Sequence, residues 1–178
     1  FTNAFNSVRR DALLEAVARE IPELYRFVYA TYADSSLLKF GNFYIRSEDG
    51  IQQGDPLGPL EFCLVIHPLL KKLKSSLRIG FLDDLTLGGS VTTVAADVSN
   101  VAAEGRQLGL ALNPTKCEII GLSQSAVNKI EPFYNFKVVH LEDLTLLGSP
   151  VQSGPAVDAA KAKLARETER AAREGLRV

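Results

Sequence analysis

Apolar residues along this chain recur at two spacings, and each spacing predicts its own kind of element. From Ser7 to Arg19, Val8, Leu13, Leu14 and Val17 form one stripe at helical period, with Ser7 placed to cap the first turn. Pro22 suits the first turn of a second helix, in which Leu24, Phe27, Val28 and Ala30 face inward and Tyr25, Tyr29 and Tyr32 lie alongside. A third helix is predicted from about Leu60 to Leu77, with Leu60, Leu64, Ile66, Leu69, Leu70 and Leu73 mostly buried. A fourth runs from Val94 to Leu108, with Val94, Val98, Val101, Ala102 and Leu108 inward. Shorter apolar runs read as strands. Leu37 to Phe40 and Phe43 to Arg46 flank Gly41-Asn42, a good two-residue turn, and predict a β-hairpin. Arg78 to Leu87 predicts a second hairpin, and Cys117 to Leu122, Phe136 to His140 and Leu144 to Leu147 are short strands.

Between these elements, the Gly- and Pro-rich stretch from 50 to 59 cannot begin as regular helix. Pro155 to Arg173 is rich in Ala, Lys, Arg and Glu and is predicted to be an exposed or docking helix. No repeat and no convincing linker divides the chain. Helix, hairpin, helix and strand in this order make one α+β unit, a few antiparallel strands with helices packed on one face.

Composition sharpens this picture in a few places. At 178 residues with 46% hydrophobic content, the chain is long enough for one well-packed domain. No run approaches the roughly 18 apolar residues of a membrane span, and the opening residues do not read as a signal peptide. The first residue is Phe1 and methionine is absent, so the chain reads as a piece of a longer polypeptide. Cys63 and Cys117 sit in apolar segments without metal-ligand spacing and read as buried free thiols in a reducing compartment; His67 and His140 read as structural. A net charge of −1 gives no bulk attraction to nucleic acid. The basic cluster Lys71, Lys72, Lys74 and Arg78 reads as the solvated end of a helix, where cations suit the helix dipole.

The candidate chemistry centres on Asp83-Asp84, set between Ile79-Gly80-Phe81-Leu82 and Leu85-Thr86-Leu87. Two adjacent acids between apolar flanks are costly unless something positive sits beside them. A tight hairpin whose tip presents both carboxylates at a pocket meets that need, because hard oxygen ligands suit a divalent cation. Ordinary hairpin-turn chemistry is the competing reading, since Asp favours turns. About thirty residues upstream lies Gln52-Gln53-Gly54-Asp55-Pro56-Leu57-Gly58-Pro59, and about thirty downstream Gly109-Leu110-Ala111-Leu112-Asn113-Pro114-Thr115-Lys116-Cys117.

In this order and spacing the three motifs resemble the palm of a reverse transcriptase, an RNA-directed DNA polymerase, of the non-LTR retrotransposon type. The resemblance implies a role for each matching position. Asp83, the stricter ligand, and Asp84 would bind Mg²⁺ in a two-metal nucleotidyl transfer. Phe1, Gln53 and Gly54 would contact the incoming nucleotide. Phe5, in Asn3-Ala4-Phe5-Asn6, would be the aromatic gate against a ribose 2′ hydroxyl, or else plain core packing. Lys116 would reach the triphosphate and stabilise the departing pyrophosphate, or else be a solvated loop lysine. Leu147 and Gly148, in Leu146-Leu147-Gly148-Ser149-Pro150, resemble the primer-grip turn. Where the family often has Ser before the final Pro of the upstream motif, this chain has Gly58.

The resemblance covers residues 1 to 151 as a partial palm, with 152 to 178 as a helix leading toward the thumb. Its sheet would join Phe1 to Ala4, the acid hairpin and Cys117 to Leu122, with the helices beginning at Leu60 and Val94 on one face. The implied partners are an RNA template, a DNA primer, deoxynucleoside triphosphates, and the fingers and thumb of the same polypeptide. The family's first metal-binding Asp would fall one position before Phe1, so this piece by itself is expected to be inactive. A nuclear site of action would follow only from the retrotransposon resemblance; intracellular is the broader expectation. Two other functions stay open: a non-catalytic, domesticated scaffold or RNA-binding module, and an unrelated magnesium-dependent phosphotransferase.

Overall fold

The computed structural model describes residues 1–175, and they fall into two compact units that divide between Asn113 and Pro114. The sequence offers no linker at that point. The first unit contains α1 (Ala4–Ser7), α2 (Arg10–Glu20), α3 (Tyr25–Tyr32), the hairpin β1 (Ser36–Phe40) and β2 (Phe43–Ser47), α4 (Gly58–Lys72), the hairpin β3 (Leu77–Phe81) and β4 (Asp84–Gly88), and α5 (Val91–Gln107).

Its core gathers Ala4, Val8, Leu13, Ala16, Val17, Val28, Tyr32, Ile51, Phe62, Val65, Ile66 and Leu110, so that α2, α3 and α4 pack through their apolar stripes. A second cluster, Leu69, Leu73 and Val101, joins the end of α4 to α5, and Leu85 and Leu87 of β4 lean on it. The acid hairpin is thereby seated on the two long helices. The chain approaches itself closely around α1. Gly50 donates to the Val8 carbonyl at 2.9 Å, and a Cβ there would lie 2.5 Å from the Asn6 backbone, so no other residue fits.

Asp97 fixes the junction between α4 and β3. It is 1% exposed on α5. Its carboxylate accepts from the Lys74 and Ser75 backbone N–H groups at 2.9 and 2.7 Å and from Ser75 Oγ at 2.6 Å. Burial alone would raise the Asp97 pKa, but the hydrogen bonds from Ser75 and Lys74 and the Arg78 charge outweigh it and hold the carboxyl below its ordinary value.

The second unit contains β5 (Glu118–Ile119), α6 (Gln124–Val127), β6 (Lys137–Val138), the hairpin β7 (Thr145–Leu146) and β8 (Ser149–Pro150), and α7 (Pro155–Gly175). Val127, Phe133, Phe136 and Val139 form its buried centre. β5 and β6 pair in parallel. Residues 176–178 of the expected terminal helix lie outside the described residues.

Several expectations need correction. Helices and strands are both present, but among the described residues the strands form four separate two-stranded pairs rather than one sheet. Phe1 to Ala4 is not a strand: Asn3 is left-handed, with φ 45°, and helix α1 begins at Ala4, so the segment cannot run extended. Ser7 ends α1 instead of capping α2, whose N-cap is Arg9. A 3₁₀ turn, Pro22–Leu24, precedes α3, and Phe27 and Ala30 face solvent, because only the Val28 and Tyr32 side reaches the core. The α4 helix stops at Lys72, leaving Leu77 in β3, and Leu60 is exposed. Cys63 is exposed and Cys117 half-buried, so neither is a fully buried thiol.

The β1–β2 hairpin carries apolar residues that the core does not cover. Register pairs Leu38 with Ile45 and Phe40 with Phe43 on one face, and Leu37 with Arg46 and Lys39 with Tyr44 on the other. All eight are exposed. No helix among the described residues is long and apolar enough to cross a membrane.

Candidate active site

The site is built from the tip of the β3–β4 hairpin. Phe81 pairs with Asp84, so Leu82 and Asp83 are the two turn residues. Leu82 has φ 54°, a conformation that costs a non-glycine residue roughly 1–2 kcal/mol. Such strain persists only where the surroundings hold it. Here the surroundings are a small hollow lined by Phe1, Ile66, Leu69, Leu70, Gly80, Leu82, Asp83, Asp84 and Leu85. Its surface is almost wholly apolar, and Asp83 and Asp84 stand at its border. Asp83 is half-buried and Asp84 exposed. Among the described residues no ion pair involves either carboxylate.

This donor set fits a hard divalent cation of the Mg²⁺ type. Among the described residues no third His, Cys, Asp or Glu side chain joins the pair. Mg²⁺ is ordinarily held by one or two carboxylates together with waters and substrate phosphates, a share that two acids could give to one ion.

The opening segment links this hollow to the loop at 52–55. Phe1 lines the hollow. Four residues on, the half-buried Phe5 ring stacks on Phe62 with centroids 4.9 Å apart and planes 12° apart, and the Phe5 carbonyl accepts from Ile51 N–H at 2.7 Å. Phe5 therefore packs against α4 and is hydrogen-bonded to Ile51 just before the loop. The loop itself is a turn, closed by Asp55 N–H donating to the Gln52 carbonyl at 3.1 Å. Gln53 and Gly54 are its exposed central residues, and Gly54 has φ 93° with open space where a Cβ would be.

A single phenol holds both ends of that turn. Tyr32, 1% exposed on α3, donates its hydroxyl to Asp55 Oδ2 at 2.6 Å and accepts from Gln52 N–H at 3.1 Å. Asp55 Oδ1 accepts from Leu57 N–H at 2.8 Å, leading the chain into α4. Burial and the bond to Asp55 push the Tyr32 phenol upward in pKa, so it stays protonated. The Arg10 guanidinium lies 5.4 Å from the centre of the Tyr32 ring, and donates to the Gly50 and Ser47 carbonyls and to Ser47 Oγ. Glu61 lies in the same neighbourhood. It is 2% exposed and neither carboxyl oxygen has a hydrogen-bond partner. Burial first, and the Asp55 charge second, push it up to about 7.

The remaining sequence-predicted residues belong to the second unit. Lys116 is exposed at the end of the 3₁₀ turn Pro114–Lys116. Leu147 and Gly148 form the tip of the β7–β8 hairpin, with φ 50° and 79°, the pattern of a type I′ turn.

Residues 1–149 match the family described as "Reverse transcriptase (RNA-dependent DNA polymerase)". The chain belongs to the reverse transcriptase family. It is also similar to a "Retrovirus-related Pol polyprotein from type-1 retrotransposable element R2" of Nasonia vitripennis, at 30% identity over 165 residues. That match covers 82% of this chain and 16% of the relative, so the chain spans about a sixth of the relative's length. Both findings agree with the non-LTR resemblance carried by the motifs, in a family of RNA-directed DNA polymerases, which are nucleotidyltransferases.

For a reverse transcriptase, the sequence reading missed three residues around the upstream motif. Tyr32 was grouped with Tyr25 and Tyr29 as a helix-side aromatic, although its spacing places it at the end of α3. Asp55 enters the sequence analysis only as part of a motif; an Asp three residues before a helix start is a signal for a local backbone bond. Glu61 fell at a buried position of an apolar helix, where an acid is itself the signal.

Proposed function

We propose that this chain forms the nucleotidyl-transfer centre of an RNA-directed DNA polymerase of retroelement type, with residues 1–151 as palm and 152–178 leading toward a thumb. One observation carries the proposal: a strained two-residue turn sets Asp83 and Asp84 side by side at the border of an apolar hollow that Phe1 of the opening segment also lines. Asp83 and Asp84 would hold Mg²⁺ there. Bound, the ion supplies charge neutralisation for the triphosphate and lowers the pKa of the primer's 3′ hydroxyl.

The chain's own residues then do the positioning. The exposed Gln53 amide and Gly54 backbone bind the nucleotide, since an open glycine lets a sugar or base approach the chain. Phe5, fixed by Phe62, would be the ring that excludes a 2′ hydroxyl. Lys116 supplies a cation to the departing pyrophosphate, and the Leu147–Gly148 turn holds the primer end through its backbone. RNA template, DNA primer and deoxynucleoside triphosphates are the substrates, and fingers and thumb of the same polypeptide would complete the walls.

The test separates metal binding from activity. Mn²⁺ titrated into the chain should broaden the amide resonances of Leu82 to Leu85, Mg²⁺ should reverse this, and Asp83→Asn should abolish it. In a polypeptide carrying this chain with its flanking sequence, Asp83→Asn should lower primer extension on an RNA template by about 10³-fold. Broadening confined to other acids would overturn the assignment.

A further inference from the structure

The Gln53–Gly54 turn has two exposed central residues and little packing of its own, so its shape must come from what grips its ends. At one end the Gln52 N–H donates to the Tyr32 hydroxyl at 3.1 Å; at the other, that hydroxyl donates to Asp55 Oδ2 at 2.6 Å. A hydroxyl has one proton to give and can accept in return, and here both capacities are used on the same turn. The ring behind it is immobile: buried in the core cluster, with Arg10 over its face. Arg10 in turn bonds the Ser47 and Gly50 carbonyls, which begin and end the approach to the loop. Asp55 uses its second oxygen on Leu57 N–H, which ties the turn to the N-cap of α4.

We infer that Tyr32 and Asp55 are a positioning pair: they set the Gln53–Gly54 turn in the conformation that receives the nucleoside triphosphate. The inference deepens the proposed function and rests on its assignment of that turn to the nucleotide. Neither side chain reacts. Tyr32 acts through the backbone of Gln52 and the carboxylate of Asp55, and Asp55 through the backbone of Leu57. Losing the hydroxyl frees the turn without emptying the core, because a phenylalanine ring fills the same space.

Two measurements, one independent of activity, test this. In the full chain, Tyr32→Phe should exchange the Gln52 amide proton about tenfold faster, with the circular dichroism spectrum unchanged. Asp55→Asn keeps one acceptor oxygen for the phenol but loses the one that serves Leu57 N–H, and should restore only part of the protection that Asp55→Ala loses. In a polypeptide carrying the chain with its flanking sequence, Tyr32→Phe should raise KM for the deoxynucleoside triphosphate about tenfold and leave kcat within about twofold. Unchanged exchange in Tyr32→Phe would overturn the pairing outright. Faster exchange with unchanged KM, where Gln53→Ala does raise KM, would overturn the positioning role and leave the proposed function standing. If Tyr32→Phe and Gln53→Ala both leave KM unchanged, the nucleotide assignment of the turn falls, and this inference with it.

Discussion

Glu61 is the residue whose placement conflicts most with its chemistry. A carboxyl 2% exposed, with no bond to either oxygen, is tolerable only when neutral. Burial raises its pKa from the ordinary 4.5 to about 7, the Asp55 charge adding to the effect. The sign follows from proton counting. Between pH 4.5 and 7 the folded state keeps a proton that the unfolded state releases, so this group's share of stability falls as pH rises and levels off above pH 7. Glu61→Gln removes the titration while keeping the shape. Its stability relative to the parent chain should therefore increase by about 2.5 kcal/mol between pH 5 and pH 8, read from urea unfolding at the two pH values. A constant difference would show that water reaches the carboxylate. Residues of this kind were hard to read in the sequence, since a partner such as Asp55 is defined only once α4 has begun. The hairpin that carries Asp83 and Asp84 was legible for the opposite reason: the apolar runs on both sides of the two acids marked its strands.

At the scale of elements, Asp97 is what joins helix to hairpin. It lies in α5, yet its bonds go to Lys74 and Ser75, the two residues that turn the chain from α4 toward β3. Three donors converge on one oxygen, and the Arg78 guanidinium nearby donates to the Leu73 carbonyl at 2.6 Å. An amide has one acceptor oxygen and brings two unwanted protons into a buried site. Asp97→Asn should thus cost about 3 kcal/mol, measured by thermal or urea unfolding. Its pH behaviour has the sign opposite to that of Glu61. A carboxyl held below its ordinary 3.8 stabilises the fold above that pH, and the contribution is lost as pH falls through the depressed value. The variant should accordingly lose less stability than the parent chain on going from pH 4 to pH 2. A cost below about 0.5 kcal/mol would mean that the junction is held by Leu73 packing alone. The sequence offered no cue for this latch, because an Asp in an amphipathic helix is ordinarily a solvated one.

Across the whole molecule, long periodic segments were the legible part. α2, α4 and α5 and both larger hairpins lie within a few residues of their expected places, since three or more turns of apolar spacing, or a Gly-Asn turn between apolar runs, leave little choice. The four-residue α1 was not legible, because it is too short to show a period; β5 and β6 fall inside the strands expected at Cys117 to Leu122 and Phe136 to His140, and what had no signal was their pairing in parallel. The division after Asn113 was hidden for a related reason. It falls inside the motif Leu112-Asn113-Pro114-Thr115, where no change in composition marks it. That division makes a definite claim about the first unit. Both of its core clusters draw only on residues from Phe1 to Leu110, and the Tyr32–Asp55 bond, the Asp97 latch and the acid hairpin all lie within the same span. A domain of roughly this size buries enough of its chain to fold by itself. A polypeptide ending at Asn113 should therefore melt in a single cooperative transition and keep Mn²⁺ broadening at Leu82 to Leu85. A gradual melt with strong binding of a hydrophobic dye would instead show that the helices around the acid hairpin need residues beyond 113 to pack.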